Sequence, residues 1–225
     1  MRLDRALVPV LAWLALPAAA APPPTTQPED LDAKRQRWNR VYQADEPEFN
    51  TAPNAFLKRC LSRIEGRGRA LDLAMGQGRN ALLLARHGYE TTGIDISNEG
   101  LSQARAAAEK AGLSLHTVQA DVFAFDYGRE RWDLISVIYF NPAKPILPTL
   151  KGAVKPGGYI VIEGFGPRKV GGPPDDSKFR RNELLEVFSD WHVLEYQDGD
   201  FPADWGGEPT AHVVWLLARR PTAER

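Results

Sequence analysis

Apolar residues along the chain follow two rhythms, and the rhythm switches repeatedly. Short apolar runs predict strands at Ala70–Leu73, Glu90–Ile96, Leu115–Gln119, Trp132–Phe140, Tyr159–Phe165, Trp191–Gln197 and Ala211–Arg219. Helical spacing predicts helices at Leu31–Tyr42, Asn54–Ile64, Asn80–Arg86, Ile146–Val154 and Asn182–Phe188. Another runs to Ala111 behind Ser97, a good N-cap, and Gly112 closes it. The run WDLISVIYF is nearly all apolar, as expected of a central parallel strand covered on both faces. Lys155–Gly158 reads as a turn, and Gln43–Thr51, Gly166–Lys178 and Asp198–Thr210 read as loops. Seven strands alternate with helices, then end in a strand–loop–strand pair. That order predicts an α/β fold: a mostly parallel seven-stranded sheet with one antiparallel strand and helices on both faces.

The segment Arg69–Ser97 carries the first chemical signal. It reads strand, glycine turn, helix, strand, with Asp72 near the end of the first strand and Asp95 near the end of the second. Gly76 and Gly78 let the backbone approach a ligand closely. Such a unit binds an adenosine-type ligand over its first turn. Two cofactor classes share this geometry. Gly76-x-Gly78-x-x-Ala81 with Asp95 nearly satisfies the dinucleotide fingerprint. Asp72 discriminates: a carboxylate beside the turn repels a pyrophosphate, but suits the ammonium end of S-adenosylmethionine. The terminal strand pair is a second, independent pointer the same way, because a dinucleotide domain more often continues βαβ to its end.

Composition narrows the picture further. The 225 residues suffice for one sizeable α/β domain, and a net charge of −1 leaves no general nucleic-acid footprint. Cys60 is the single cysteine and the four histidines are scattered, so no metal site is expected. The amino terminus differs in kind. Arginines at 2 and 5, an apolar run Ala6–Leu16 and small residues Ala18–Ala21 resemble a secretory signal ending at residue 20. The expected division is a signal-like segment 1–20, a flexible linker 21–30 and a catalytic domain 31–220. Export is the expectation, with a cytoplasmic location as the alternative. The apolar run is too short for a stable membrane anchor. Oligomeric state has no signature.

With these stretches in view, the chain resembles the class I S-adenosylmethionine-dependent methyltransferases, which have a Rossmann-like fold. Within them it is most similar to the small-molecule group that includes the tellurite-resistance methyltransferases. The matching stretches are Trp38-x-x-x-Tyr42, Pro53–Leu57, ALDLAMGQGRNALLLARHGY, GIDIS, QADVFAF and KPGGYIVIEGF. The resemblance implies that Asp72 and the backbone around Ala74, Gly76 and Gly78 hold the methionyl end of S-adenosyl-L-methionine. It implies that Asp95 takes the ribose hydroxyls and that Ile96 packs on the adenine. Asp121 would accept from the adenine amino group, with Val122 and Phe123 beside the ring. Tyr139 would face the sulfonium. Ala74 departs from a position that is often glycine in the family. Trp38 and Tyr42 are read as helix-packing residues rather than cofactor lids.

Methyl transfer from a sulfonium is an in-line displacement whose leaving group needs no protonation. No dedicated base motif stands out. Tyr139 and His212 are the candidates by position. The acceptor is expected at the C-terminal edge of the sheet, near Gly166–Lys178 and Asp198–Thr210. The second of these has an acidic, aromatic character from Asp198, Asp200, Asp204, Trp205 and Glu208, while Arg168 and Lys169 are candidate anion contacts on the first. Thiol, metalloid oxyanion, amine and phenol acceptors all remain open. Two other functions remain: a catalytically silent cofactor-binding protein and an NAD(P)-dependent oxidoreductase.

Overall fold

The runs 69–73 and 132–138 pair in parallel at the centre of the sheet, where both faces are covered and each strand is buried nearly throughout. The computed structural model describes residues 28–44, 50–167, 177–205 and 210–222. Its strands are β1 (Arg69–Leu73), β2 (Glu90–Asp95), β3 (His116–Gln119), β4 (Trp132–Ile138), β5 (Val154–Phe165), β6 (His192–Pro202) and β7 (Thr210–Arg219). Its α-helices are α1 (Pro28–Tyr42), α2 (Ala55–Leu61), α3 (Arg79–Arg86), α4 (Asn98–Lys110), α5 (Leu147–Ala153) and α6 (Glu183–Val187). The sheet order is β3-β2-β1-β4-β5-β7-β6, with β7 antiparallel to both neighbours. The fold matches the sequence reading: seven strands, mostly parallel, with one reversed.

Alternation along each strand sorts the core onto two faces. Leu71, Leu73, Ile135, Val137, Ile160 and Ile162 pack with Leu147 and Leu150 of α5 and Leu184 of α6. Ala70, Leu134, Tyr159, Val161 and Leu217 point the other way, onto Phe56, Leu57 and Leu61 of α2 and Leu83 and Leu84 of α3. Asp72 shares the parity of Ala70, so it enters the α2–α3 side of the sheet as a buried acid.

Several boundaries differ from the sequence reading, each for a tertiary reason. Lys155–Gly158 is not a free turn. It lies within β5, where a register shift opposite Trp132 absorbs the glycines. The first part of the expected loop Asp198–Thr210 is strand, because Asp198–Pro202 pair residue by residue with Val214–Thr210. The polar sequence of β6 hid this, since its ladder partner is chosen by the sheet edge and not by an apolar face. A 3-10 turn over Asn141–Ile146 precedes α5. Pro28–Asp30, expected in the linker, begin α1. The signal-like segment 1–20, the rest of the linker to residue 27, Arg168, Lys169 and Glu208 lie outside the described residues. No helix among the described residues is long and apolar enough to cross a membrane.

Candidate active site

The C-terminal ends of β1, β2 and β4 open into a cavity of about 670 Å³. That is the crevice where an open α/β sheet takes its ligand. The floor is the turn between β1 and α3. Gly76 and Gly78 both sit at positive φ, +54° and +82°. A Cβ on Gly76 would fall 2.5 Å from the Tyr42 hydroxyl oxygen, and one on Gly78 would fall 2.8 Å from Cβ of Ala104. Close approach therefore requires glycine at both places. Ala74 also takes a left-handed conformation, φ +51°. For a residue with a Cβ this costs on the order of 1 kcal/mol, the physical reason to expect glycine here.

Asp95 ties β2 to that turn. Its Oδ2 accepts from Gly76 N at 2.8 Å and its Oδ1 from Ser97 N at 2.8 Å. Burial raises its pKa, while these backbone N–H groups favour the charged form. Ser97 caps α4 by accepting from Gly100 N at 3.0 Å, and its hydroxyl donates to Asn39 Oδ1 at 2.7 Å. This second bond docks α1 on the start of α4. Gln103 Nε2 adds a 2.7 Å bond to the Tyr42 carbonyl. The docking lays Trp38 and Tyr42, stacked with centroids 5.9 Å apart, against the cavity. Both were read as packing residues; both line the site. The signal was their spacing of four, which puts them on one helix face.

Asp72 lies beneath this floor and does not line the cavity. Its Oδ1 accepts from Ser136 Oγ at 2.7 Å. Its Oδ2 is buried without a hydrogen-bond partner among the described residues. Burial pushes the carboxyl up to about 7, against the pull of Ser136, the Arg79 guanidinium and the nearby Ala81 N–H, which does not reach hydrogen-bonding geometry. Such an orphaned acid is costly unless a cationic partner completes it. The ammonium end of S-adenosylmethionine over the glycine turn would offset that charge from across the floor, so the residues present fit this cofactor. Ala74, Gly76, Asp95 and Ile96 line the cavity as expected. Gly78 does not; it supports the turn from behind. Asp121, Val122 and Phe123 line the opposite wall, where Asp121 Oδ1 accepts from Phe123 N at 3.0 Å.

The end away from the cofactor turn is aromatic: Tyr139, Phe140 and Trp205, with Pro142. Tyr139 holds φ +54°, a strained conformation for an aromatic residue. Three bonds impose it. Tyr139 N donates to Glu163 O at 2.6 Å, its hydroxyl donates to Glu163 Oε1, and Asp204 N donates to its hydroxyl oxygen at 3.0 Å. Burial and the Glu163 charge push the phenol above its usual range, so it stays protonated. Tyr139 is thus a cavity wall and not a ready base. His212 does not reach the cavity. It sits on β7 with Nε2 2.7 Å from Asp198 Oδ1, inside the strand pair. Of the expected acidic rim, Asp198, Asp200 and Asp204 do not line the cavity, and Asp198 also accepts from Tyr196 and from Asn182 N.

Asn54, Arg79 and Glu163 were not singled out as site residues, yet with Asp204 they form one network behind the aromatic end. Asn54 Nδ2 donates to Glu163 Oε2 at 2.8 Å and to Asp204 Oδ1 at 2.9 Å, while its Oδ1 caps α2 through Leu57 N at 2.7 Å. The one legible signal was Glu163, a charge within the apolar run of β5.

The comparisons with known proteins agree with this geometry. Residues 70–158 match the family model of a methyltransferase domain. Over 138 residues, 58% of the chain, it is 30% identical to the probable S-adenosyl-L-methionine-dependent methyltransferase TehB of Haemophilus influenzae, covering 48% of that protein. Over 140 residues, 59% of the chain, it is 30% identical to the ubiquinone biosynthesis O-methyltransferase of Alkalilimnicola ehrlichii, covering 56% of it. The chain thus spans about half the length of these relatives. The crystal structure of TehB from Haemophilus influenzae superposes with a TM-score of 0.64 at 24% identity, covering 83% of this chain and 67% of that one. The glycine turn, Asp95, Asp121 and Tyr139 all fall inside the matched stretch. The stretch 70–158 is thus similar to a methyltransferase domain, and the likeness to these relatives points to S-adenosyl-L-methionine as the cofactor.

Proposed function

We propose that the chain transfers a methyl group to a small, soft, anionic nucleophile, a thiolate or a metalloid oxyanion. The observation that carries this is the state of Tyr139: it lines the acceptor end with its hydroxyl already engaged by Glu163 and Asp204 N, and burial holds it protonated. An amine or phenol acceptor that must lose a proton gains nothing from such a group, whereas an anion needs no base. When bound, S-adenosylmethionine supplies a methyl carbon activated by a sulfonium. Tyr42, Tyr139 and Trp205 line the cavity and would offer aromatic π density to that cationic centre. An acceptor seated against these apolar walls would be partly desolvated, which makes an anion more reactive. Lys34 and Arg37 on α1 stand at the cavity rim and favour entry of negative charge. That chemistry would need no proton from the chain: an acceptor lone pair would bond the methyl carbon while sulfur kept the electron pair of the broken carbon–sulfur bond.

Incubation with a methyl-labelled donor and, separately, thiophenolate, selenite, a primary amine and a phenol tests this. Label is expected in the thiol or the metalloid product. Label in the amine alone would overturn the choice of acceptor. Cofactor binding by calorimetry with no transfer to any of the four would leave a binding protein instead.

A further inference from the structure

Asp204 holds together segments that are far apart in the chain. Its Oδ2 accepts from Ala55 N at 2.7 Å, and its Oδ1 accepts from Asn54 Nδ2 at 2.9 Å and from Arg79 Nη2 at 3.2 Å. Its carbonyl accepts from Arg79 Nη1 at 3.1 Å, and its N–H donates to the Tyr139 hydroxyl at 3.0 Å. The donors come from the start of α2, the first turn of α3 and the end of β4. Next to it, the Trp205 carbonyl accepts from Asn50 N at 2.8 Å, and the Trp205 ring lies 5.5 Å from Tyr139. Trp205 lines the cavity; Asp204 does not. The Asp204 side chain is 21% exposed and the Arg79 side chain 14%. A charge-assisted network this shielded holds its members more firmly than a surface ion pair does.

We propose that Asp204 is a positioning residue for the acceptor: it clamps the end of β6 to α2 and α3, and so sets Trp205 opposite Tyr139 as the wall against which the acceptor seats. The inference rests on the methyl-transfer reading for its substrate and on the hydrogen-bond network for its geometry. Arg79 connects the two ends of the cavity. It leaves the cofactor turn at the start of α3 and spends both terminal nitrogens on the strap, bonding Ala52 O at 2.9 Å as well. The acceptor wall is thereby registered against the cofactor turn by one side chain. In-line transfer needs such registration, since small misplacements of reacting atoms cost large factors in rate.

The test combines kinetics with thiophenolate, calorimetry with S-adenosylhomocysteine and amide exchange by NMR. Asp204→Ala is expected to raise the KM for thiophenolate about tenfold with kcat changed less than about threefold, the pattern of lost substrate seating. Trp205→Ala should do the same, and Trp205→Phe, which keeps an aromatic face, should restore most of the loss. Because Asp204 acts through Trp205, the double alanine variant should be no worse than Trp205→Ala alone. S-adenosylhomocysteine affinity should stay within about threefold of wild type. The Asn50 amide, bonded to Trp205 O, should lose protection in Asp204→Ala while β7 amides keep theirs. Losses that multiply in the double variant, or a kcat and cofactor affinity that fall together, would mark a merely structural role. Unchanged Asn50 protection would overturn the clamp whatever the kinetics. If wild type transfers nothing to thiophenolate, the acceptor reading fails and Asn50 exchange alone decides the role of Asp204.

Discussion

The two ends of the cavity are built in opposite ways. The cofactor end is made from one contiguous βαβ unit, where backbone does most of the work: the turn at Gly76 and Gly78, and Asp95 reaching back nineteen residues to Gly76 N. The acceptor end is made from side chains that the sequence keeps far apart. Asn54 meets Glu163 across 109 positions and Asp204 across 150. A ligand common to a whole family can be held by local backbone geometry that tolerates drift elsewhere. Recognition at the other end rests on long-range side-chain contacts, which exist only once the sheet is assembled.

That contrast can be broken experimentally. The largest effect is expected from Gly76→Val. A side chain there meets the Tyr42 hydroxyl and opposes φ +54°, so cofactor affinity should fall about 100-fold or more, the equivalent of roughly 3 kcal/mol. Calorimetry checks it; an affinity near that of wild type would remove the turn from the cofactor site.

Asn54→Ala strikes the other end. It deletes the cap of α2 and leaves Glu163 short of a donor in a buried place. Stability should drop by about 2 kcal/mol, read as a lower melting temperature, with cofactor affinity nearly unchanged. A parallel collapse of cofactor binding would show that the two ends are not separable.

Asp72→Asn sharpens the comparison through pH. The native carboxyl is raised to about 7 from an ordinary value of 3.8. Its contribution to stability is therefore fully present below about pH 4 and is lost as pH rises through about 7. Without cofactor, the Asn variant should gain on wild type between pH 4 and 8, by roughly 1 kcal/mol or more at the upper end. With cofactor the order should reverse: wild-type affinity rises through about pH 7 as the carboxylate forms, and the variant binds weakly at every pH. Equal pH profiles for the two proteins would mean that Asp72 does not face the ammonium.

Much of the fold was legible in the sequence. β1, β2, β4, α3 and α4 lie within one or two residues of their predicted bounds, because each combines an apolar period with a glycine or a cap at its end. The second half of β6, Asp198–Pro202, and the start of β5 were not legible. Their residues are polar or glycine-rich, and what makes them strands is the ladder offered by a neighbour. Tyr139 was visible as the end of an apolar run, but its burial and its bond to Glu163 were not. Those facts turned it from a candidate base into a wall.

By itself, the sequence determined the α/β architecture, the position of the glycine turn and the acids beside it, since hydrophobic period and φ preference are local properties of neighbouring residues. Only the tertiary structure decided that Asp72 is buried with an orphaned oxygen, that His212 is spent inside a strand pair, and that Trp38, Tyr42 and Trp205 face the cavity. Burial and hydrogen-bond partnership depend on which distant segments the sheet brings together. They fix the charge state of an acid or a phenol, and no local pattern encodes them.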